Sequence, residues 1–198
     1  MTRRRLLPVT ALAGVVALAV AAVLVVAGGG GGGSGGGGGI GGSGDRGSTG
    51  TTGSSTDPAA FDLPRLDGPG RVQLAGFRGT PVVVNLFASW CDACRLELPG
   101  FARAARQLQG KVAFVGVDSL ETGDGRAMAS EFDLAASGFT LAKDAGAMGS
   151  GFHDALGATG MPVTAFYDAS GRLVERRIGA MPEPLLRQTL RKLYQVEV

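Results

Sequence analysis

Apolar side chains fall into three patterns along the 198 residues. Residues 8–27, PVTALAGVVALAVAAVLVVA, are apolar and uncharged, whereas residues 28–56 carry a single apolar side chain, Ile40. From residue 57 onward, short apolar runs alternate with stretches whose apolar positions recur every three or four residues. The continuous runs Pro81–Phe87 and Val112–Asp118 predict strands covered on both faces. Asp92–Leu108 places Leu96, Leu98, Phe101, Ala105 and Leu108 at helical spacing, and Gly110 closes the helix. Pro99 lies inside that period, which resumes beyond it, so a kink is expected rather than an end.

The lead-in FDLPRLDGPGRVQLAGFRG, Phe61–Gly79, predicts extended chain with a short strand near Val72–Leu74. Helices are expected over Asp124–Ala136 and, in a shorter piece, around Ala147–Leu156. Met161–Asp168 and Arg172–Ile178 predict two strands joined by the turn DASG. Pro182–Tyr194 then forms an amphipathic helix with Leu185, Leu186, Thr189, Leu190 and Leu193 as its stripe. Strand, helix, strand, helix, hairpin, helix is the order of an α/β fold, a mixed sheet with helices on both faces.

The first two patterns divide the chain into segments. Residues 1–7 contain Arg3, Arg4 and Arg5, and the uncharged run 8–27 is long enough to cross a bilayer. The arginines should stay cytoplasmic, so a transmembrane signal-anchor at 8–27 sends residues 57–198 outside. Val25-Val26-Ala27 also has small residues where a signal peptidase could cut, and cleavage would export the domain equally. Residues 28–56 hold 17 of the 35 glycines and read as a disordered tether with a reach of roughly 30 Å. Of 19 basic and 17 acidic residues, Arg3, Arg4, Arg5, Arg46 and Asp45 precede residue 57, which leaves that domain at 15 against 16. A near-neutral domain without a basic run argues against a nucleic-acid partner.

Both cysteines and the one tryptophan fall in NLFASWCDACRLELPG, where the first buried strand meets the first helix. A helix starting near Cys91 presents its free amides and positive dipole end to that sulfur, which favours a thiolate. Cys94, three residues on, lies on the same face within disulfide reach, so the pair offers an attacking thiolate and a resolving thiol. A structural zinc site needs four ligands, and the chain has two cysteines and His153 alone. Covalent haem attachment needs a histidine where Arg95 stands. A structural staple is the remaining alternative, although stabilising disulfides close longer loops than this one. Asp92 beside Cys91 disfavours a thiolate by like charge and Arg95 favours it.

VVVNLFASWCDACRLELP, followed about 70 residues later by Gly-Met-Pro before another strand, resembles the thioredoxin superfamily and its membrane-anchored TlpA-like and ResA-like members. The similarity runs from about Phe61 to Leu193 and implies a thioredoxin-like fold and thiol-disulfide exchange. By that resemblance Cys91 is the exposed nucleophile and Cys94 the buried resolving cysteine, with Trp90 packed beside them. Pro162 matches the cis-proline, and Met161 before it faces the disulfide and offers its backbone to a bound peptide. Glu97 matches an active-site acid one turn beyond the second cysteine. Leu86 precedes Phe87 where these relatives often carry an aromatic pair.

Blander readings stand beside these. Glu97 also fits a first-turn carboxylate favoured by the helix dipole, Pro162 a strand start and Met161 a core residue. Asn85 is expected to serve packing or hydrogen bonding near the site, and His153 reads as a solvated helix residue. No metal or other cofactor is expected beyond the Cys91–Cys94 pair. The implied partners are extracytoplasmic protein thiols and disulfides, cytochrome-maturation apoproteins or a membrane electron donor among them, and the domain is expected to be a monomer. Two other classes remain open. A peroxiredoxin-like peroxide reductase needs a threonine where Ala88 stands, and a non-catalytic thioredoxin-fold binding module is the other, of which a metallochaperone could bind copper(I) through two thiolates. The direction of electron flow stays open, because about 30 mV is already 1.4 kcal/mol.

Overall fold

The structure, a computed structural model, describes residues 56–146 and 151–198. The expected anchor at 8–27 and almost all of the tether at 28–56 lie outside these residues, as do residues 147–150 of the expected helix near Ala147–Leu156. No helix among the described residues is long and apolar enough to cross a membrane.

Two apolar runs form the centre, as their patterns require. Strand β3 (Val82–Phe87) is buried at every position, and β4 (Ala113–Asp118) pairs parallel to it. Helix α1 (Asp92–Gln107) makes the crossover between them and continues through Pro99. The five-stranded sheet has the order β5-β4-β3-β6-β7, with β5 (Phe139–Lys143) parallel to β4. Strands β6 (Val163–Tyr167) and β7 (Leu173–Ile178) run antiparallel beyond β3. Helix α4 (Glu183–Tyr194) closes the chain, its Tyr194 hydroxyl donating to the Val82 carbonyl at 3.0 Å. A mixed sheet with helices packed on it is the expected α/β arrangement.

The period-two pleat divides the core. Val83 and Phe87 join α1 and α4 residues such as Phe101, Leu186 and Leu190 in one cluster, whereas Val82, Val84 and Leu86 join Phe61, Phe152 and Tyr167 in the other. Asn85 falls between Val83 and Phe87 in the pleat and so faces α1.

The structure differs from expectation in several places. The strand expected near Val72–Leu74 is β2 (Arg71–Gln73), paired with the unforeseen β1 (Asp62–Pro64), and Leu74–Phe77 is a 3-10 turn. The expected helix at Asp124–Ala136 stops earlier: α2 spans Gly125–Glu131, capped by the Asp124 side chain, and Asp133 at φ 51° turns the chain away. Of the piece near Ala147–Leu156, α3 (Phe152–Ala155) is described. Strand β5 went unforeseen because it is short and buries mainly Phe139, Leu141 and Ala142 at the sheet edge.

Close packing of α1 on α4 rests on Gly100. A Cβ there would stand 2.8 Å from the Glu183 Cβ, and Glu183 is itself pinned by Arg103 and Arg187. Alanine gains helix propensity worth about 1 kcal/mol, but forcing the helices apart costs about 1–3 kcal/mol. Gly100→Ala is therefore expected to lower the urea midpoint, and a higher midpoint would show that α4 yields freely.

Candidate active site

The end of β3 feeds directly into the reactive turn. Cys91 is the N-cap of α1, and its sulfur accepts the Cys94 amide hydrogen at 3.1 Å. The two sulfurs are bonded, with the Cα atoms 5.3 Å apart. The expectation of an exposed Cys91 is corrected by its burial. It retains 4% exposure and Cys94 none, both within the buried cluster that holds Val83 and Phe87 of β3 and Leu98 and Phe101 of α1, which leaves Cys91 the more accessible of the two. Arg95 does not stand free beside the pair, since it is bonded to Glu131 at 2.8 Å and lies over the Phe132 ring.

Trp90 is half exposed, and its indole N–H donates to the Leu120 carbonyl at 2.8 Å. The preceding Ser89 is clamped by Glu121, whose carboxylate accepts from the Ser89 amide at 2.7 Å and its hydroxyl at 2.6 Å. Desolvation pushes the Glu121 pKa up, but the Ser89 hydroxyl, the Ser89 and Gly123 amides and Asp118 together outweigh it and bring it to about 2. The loop after β4 therefore holds both residues ahead of Cys91.

Glu97 is 3% exposed, one helical turn beyond Cys94. Asn85 Nδ2 donates to its Oε1 at 2.7 Å, and the Met181 amide donates to its Oε2 at 2.6 Å. Burial raises its pKa to about 7 despite these donors and the charge of Arg177, so both protonation states are accessible near neutrality. Met161 precedes Pro162 through a cis bond, and Met161 is half-buried against the cluster that contains both cysteines. The structure thus gathers Cys91, Cys94, Glu97, Met161 and Pro162 at one end of the sheet, with Trp90 on the rim.

Two features went unforeseen. His153 is buried rather than solvated: its amide donates to Asp144 at 3.0 Å and its ring nitrogen Nε2 lies 3.3 Å from the Gly160 carbonyl. The Met181 donor had no sequence signal, because a backbone N–H arrives by topology alone. Asn85 did carry one, as the sole polar residue in an otherwise apolar strand. Among the described residues no cluster of three or more His, Cys, Asp or Glu side chains could hold a metal ion.

Comparison with known proteins agrees with this geometry. The sequence pattern of the AhpC/TSA family matches residues 56–176. The chain belongs to the AhpC/TSA family. Its similarity to one curated protein is specific: the thiol:disulfide interchange protein DsbE of Pseudomonas aeruginosa is 31% identical over 139 residues, covering 69% of this chain and 72% of that protein. Among solved structures, DsbF of Mycobacterium tuberculosis gives a TM-score of 0.55 at 27% identity, covering 71% of this chain and 98% of that one. A secreted disulfide oxidoreductase of Mycobacterium tuberculosis, homologous to E. coli DsbE, gives 0.54 at 25% identity, covering 70% and 100%. With the Cys91–Cys94 bond at CxxC spacing, this AhpC/TSA member is a thiol-disulfide oxidoreductase with a thioredoxin-like fold.

Proposed function

We propose that the protein exchanges disulfides with protein substrates outside the cytoplasm, Cys91 attacking, Cys94 resolving and Glu97 moving the proton. The observation that carries this reading is the N-cap disulfide with a buried, doubly hydrogen-bonded carboxyl one turn beyond it. In the reducing direction the Cys91 thiolate attacks a substrate disulfide, forms a mixed disulfide and expels one substrate thiolate. Cys94 then gives its proton to Glu97 and attacks the Cys91 sulfur, which closes the intramolecular bond and releases the second substrate thiolate. Two electrons have passed to the substrate, and oxidation of a dithiol is the same path reversed. Trp90, Met161 and the Pro162 turn would form the rim on which the substrate backbone rests.

Export is supported by the uncharged run 8–27 behind Arg3, Arg4 and Arg5. The tether then lets the domain reach partners near the membrane, for which cytochrome-maturation apoproteins and a membrane electron donor are the candidates. Ala88, fully buried three residues before Cys91, offers no hydroxyl for peroxide chemistry. The test mixes the reduced protein with a disulfide-bearing protein such as insulin. One substrate disulfide opened per Cys91–Cys94 bond formed is expected; peroxide consumption without disulfide exchange, or copper(I) retained in place of it, would reject this reading.

A further inference from the structure

One row of residues crosses the sheet on the face toward α1. Asn85 pairs with Thr164, and Thr164 pairs with Arg177 on the edge strand β7. Directly paired residues share a face, so Arg177 stands on the side where Glu97 lies. Its Nε donates to the Ala180 carbonyl at 3.3 Å. The same peptide unit carries the Met181 N–H, which donates to Glu97 Oε2 at 2.6 Å. A guanidinium on the oxygen side of a peptide fixes its plane and polarises its N–H, which strengthens the bond on the other side.

We propose that Arg177 is a positioning residue for the exchange site, holding the Ala180–Met181 peptide so that its N–H stays aimed at Glu97. The inference deepens the reading of Glu97 as the proton carrier and rests on it for its importance to exchange. The groups facing Glu97 are few. Cys94 precedes it on α1, β3 presents neutral Asn85, the segment before α4 presents the Met181 amide, and Arg177 is the charge that acts on it. The exposed guanidinium therefore supports the carboxylate twice, through the shared peptide and by its charge, and both effects lower the pH at which the buried acid releases its proton.

Arg177→Gln and Arg177→Lys test this, since the side chain is exposed and neither change disturbs the core. The carboxyl carbon of Glu97 is titrated by NMR in the oxidised protein, and hydrogen exchange of the Met181 amide is measured alongside. Arg177→Gln is expected to raise the Glu97 midpoint by roughly half a pH unit and to speed Met181 exchange, with Arg177→Lys restoring part of both. An unchanged midpoint overturns the proposal. A raised midpoint with unchanged Met181 exchange overturns it too, because the charge then acts only through space. Whether Glu97 serves exchange at all is read separately, from the pH profile of Glu97→Gln, so failure of that reading is distinguishable from failure of this one.

Discussion

Cys91→Ser is expected to reduce disulfide exchange to the uncatalysed background, while Cys94→Ala keeps the attack and accumulates a mixed disulfide with the substrate. The two variants differ because the two sulfurs differ in place. Cys91 caps α1, accepts the Cys94 amide hydrogen and retains the pair's only exposure, so a thiolate there is both stabilised and reachable. Serine keeps that cap, since its hydroxyl oxygen is a preferred acceptor at the same position. Loss of activity in Cys91→Ser therefore reports the missing nucleophile and not an unravelled helix. At Cys94 the cleaner change is alanine, because this fully buried side chain belongs to the cluster with Leu98 and Phe101, and a hydroxyl there would be left among apolar groups. Non-reducing gels of each variant with a disulfide substrate check the assignment. A covalent adduct on Cys91→Ser, with none on Cys94→Ala, would exchange the two roles.

How much of this site was legible depended on how locally its parts are encoded. The strand β3, the turn and α1 follow one another without a break, so the apolar run, the cysteine spacing and the i+3 position of Glu97 could be read directly. Pro162 is distant in sequence but arrives with its own strand, β6, paired beside β3. The parts that escaped come from far along the chain and carry no side-chain mark. The Met181 amide lies 84 residues from Glu97, and Arg177 looks in sequence like any charge on an edge strand. His153 misled for a related reason. Its neighbours Asp154, Ala155 and Gly157 suggest a solvated surface, but α3 is a single short turn whose His153 amide is tied to Asp144 and whose buried imidazole lies against the Gly160 carbonyl. Strand β5 escaped because its five residues bury Phe139, Leu141 and Ala142, a pattern that is neither strict alternation nor a continuous apolar run.

Glu97→Gln is expected to slow exchange by roughly a hundredfold near neutral pH while making the folded protein more stable at pH 8. The sign follows from the direction of the shift. Glu97 titrates at about 7 in the folded state against 4.5 for an ordinary glutamate, because burial penalises its charged form. Between those values the folded state holds more protons than the unfolded state, so stability is full below about 4.5 and falls as pH rises through 7, by about 3 kcal/mol. Asp118, also raised to about 7 by burial and by neighbouring Glu121, adds a slope of the same sign, so the wild type must be compared with the variant rather than with zero. Glutamine removes the charge with the least change of shape. Its oxygen can keep the Met181 donor, and its amide can donate to Asn85 Oδ1 once that side chain turns, which places Asn85 Nδ2 where Oδ1 now lacks a partner and leaves the number of unpaired buried atoms unchanged. Denaturant unfolding of both oxidised proteins at pH 5 and pH 8 tests this: equal losses between the two pH values would mean that Glu97 does not titrate there. A stabilised but slow variant would show that the folded state bears the cost of a charged carboxyl in the core because the reaction needs a proton acceptor at that position.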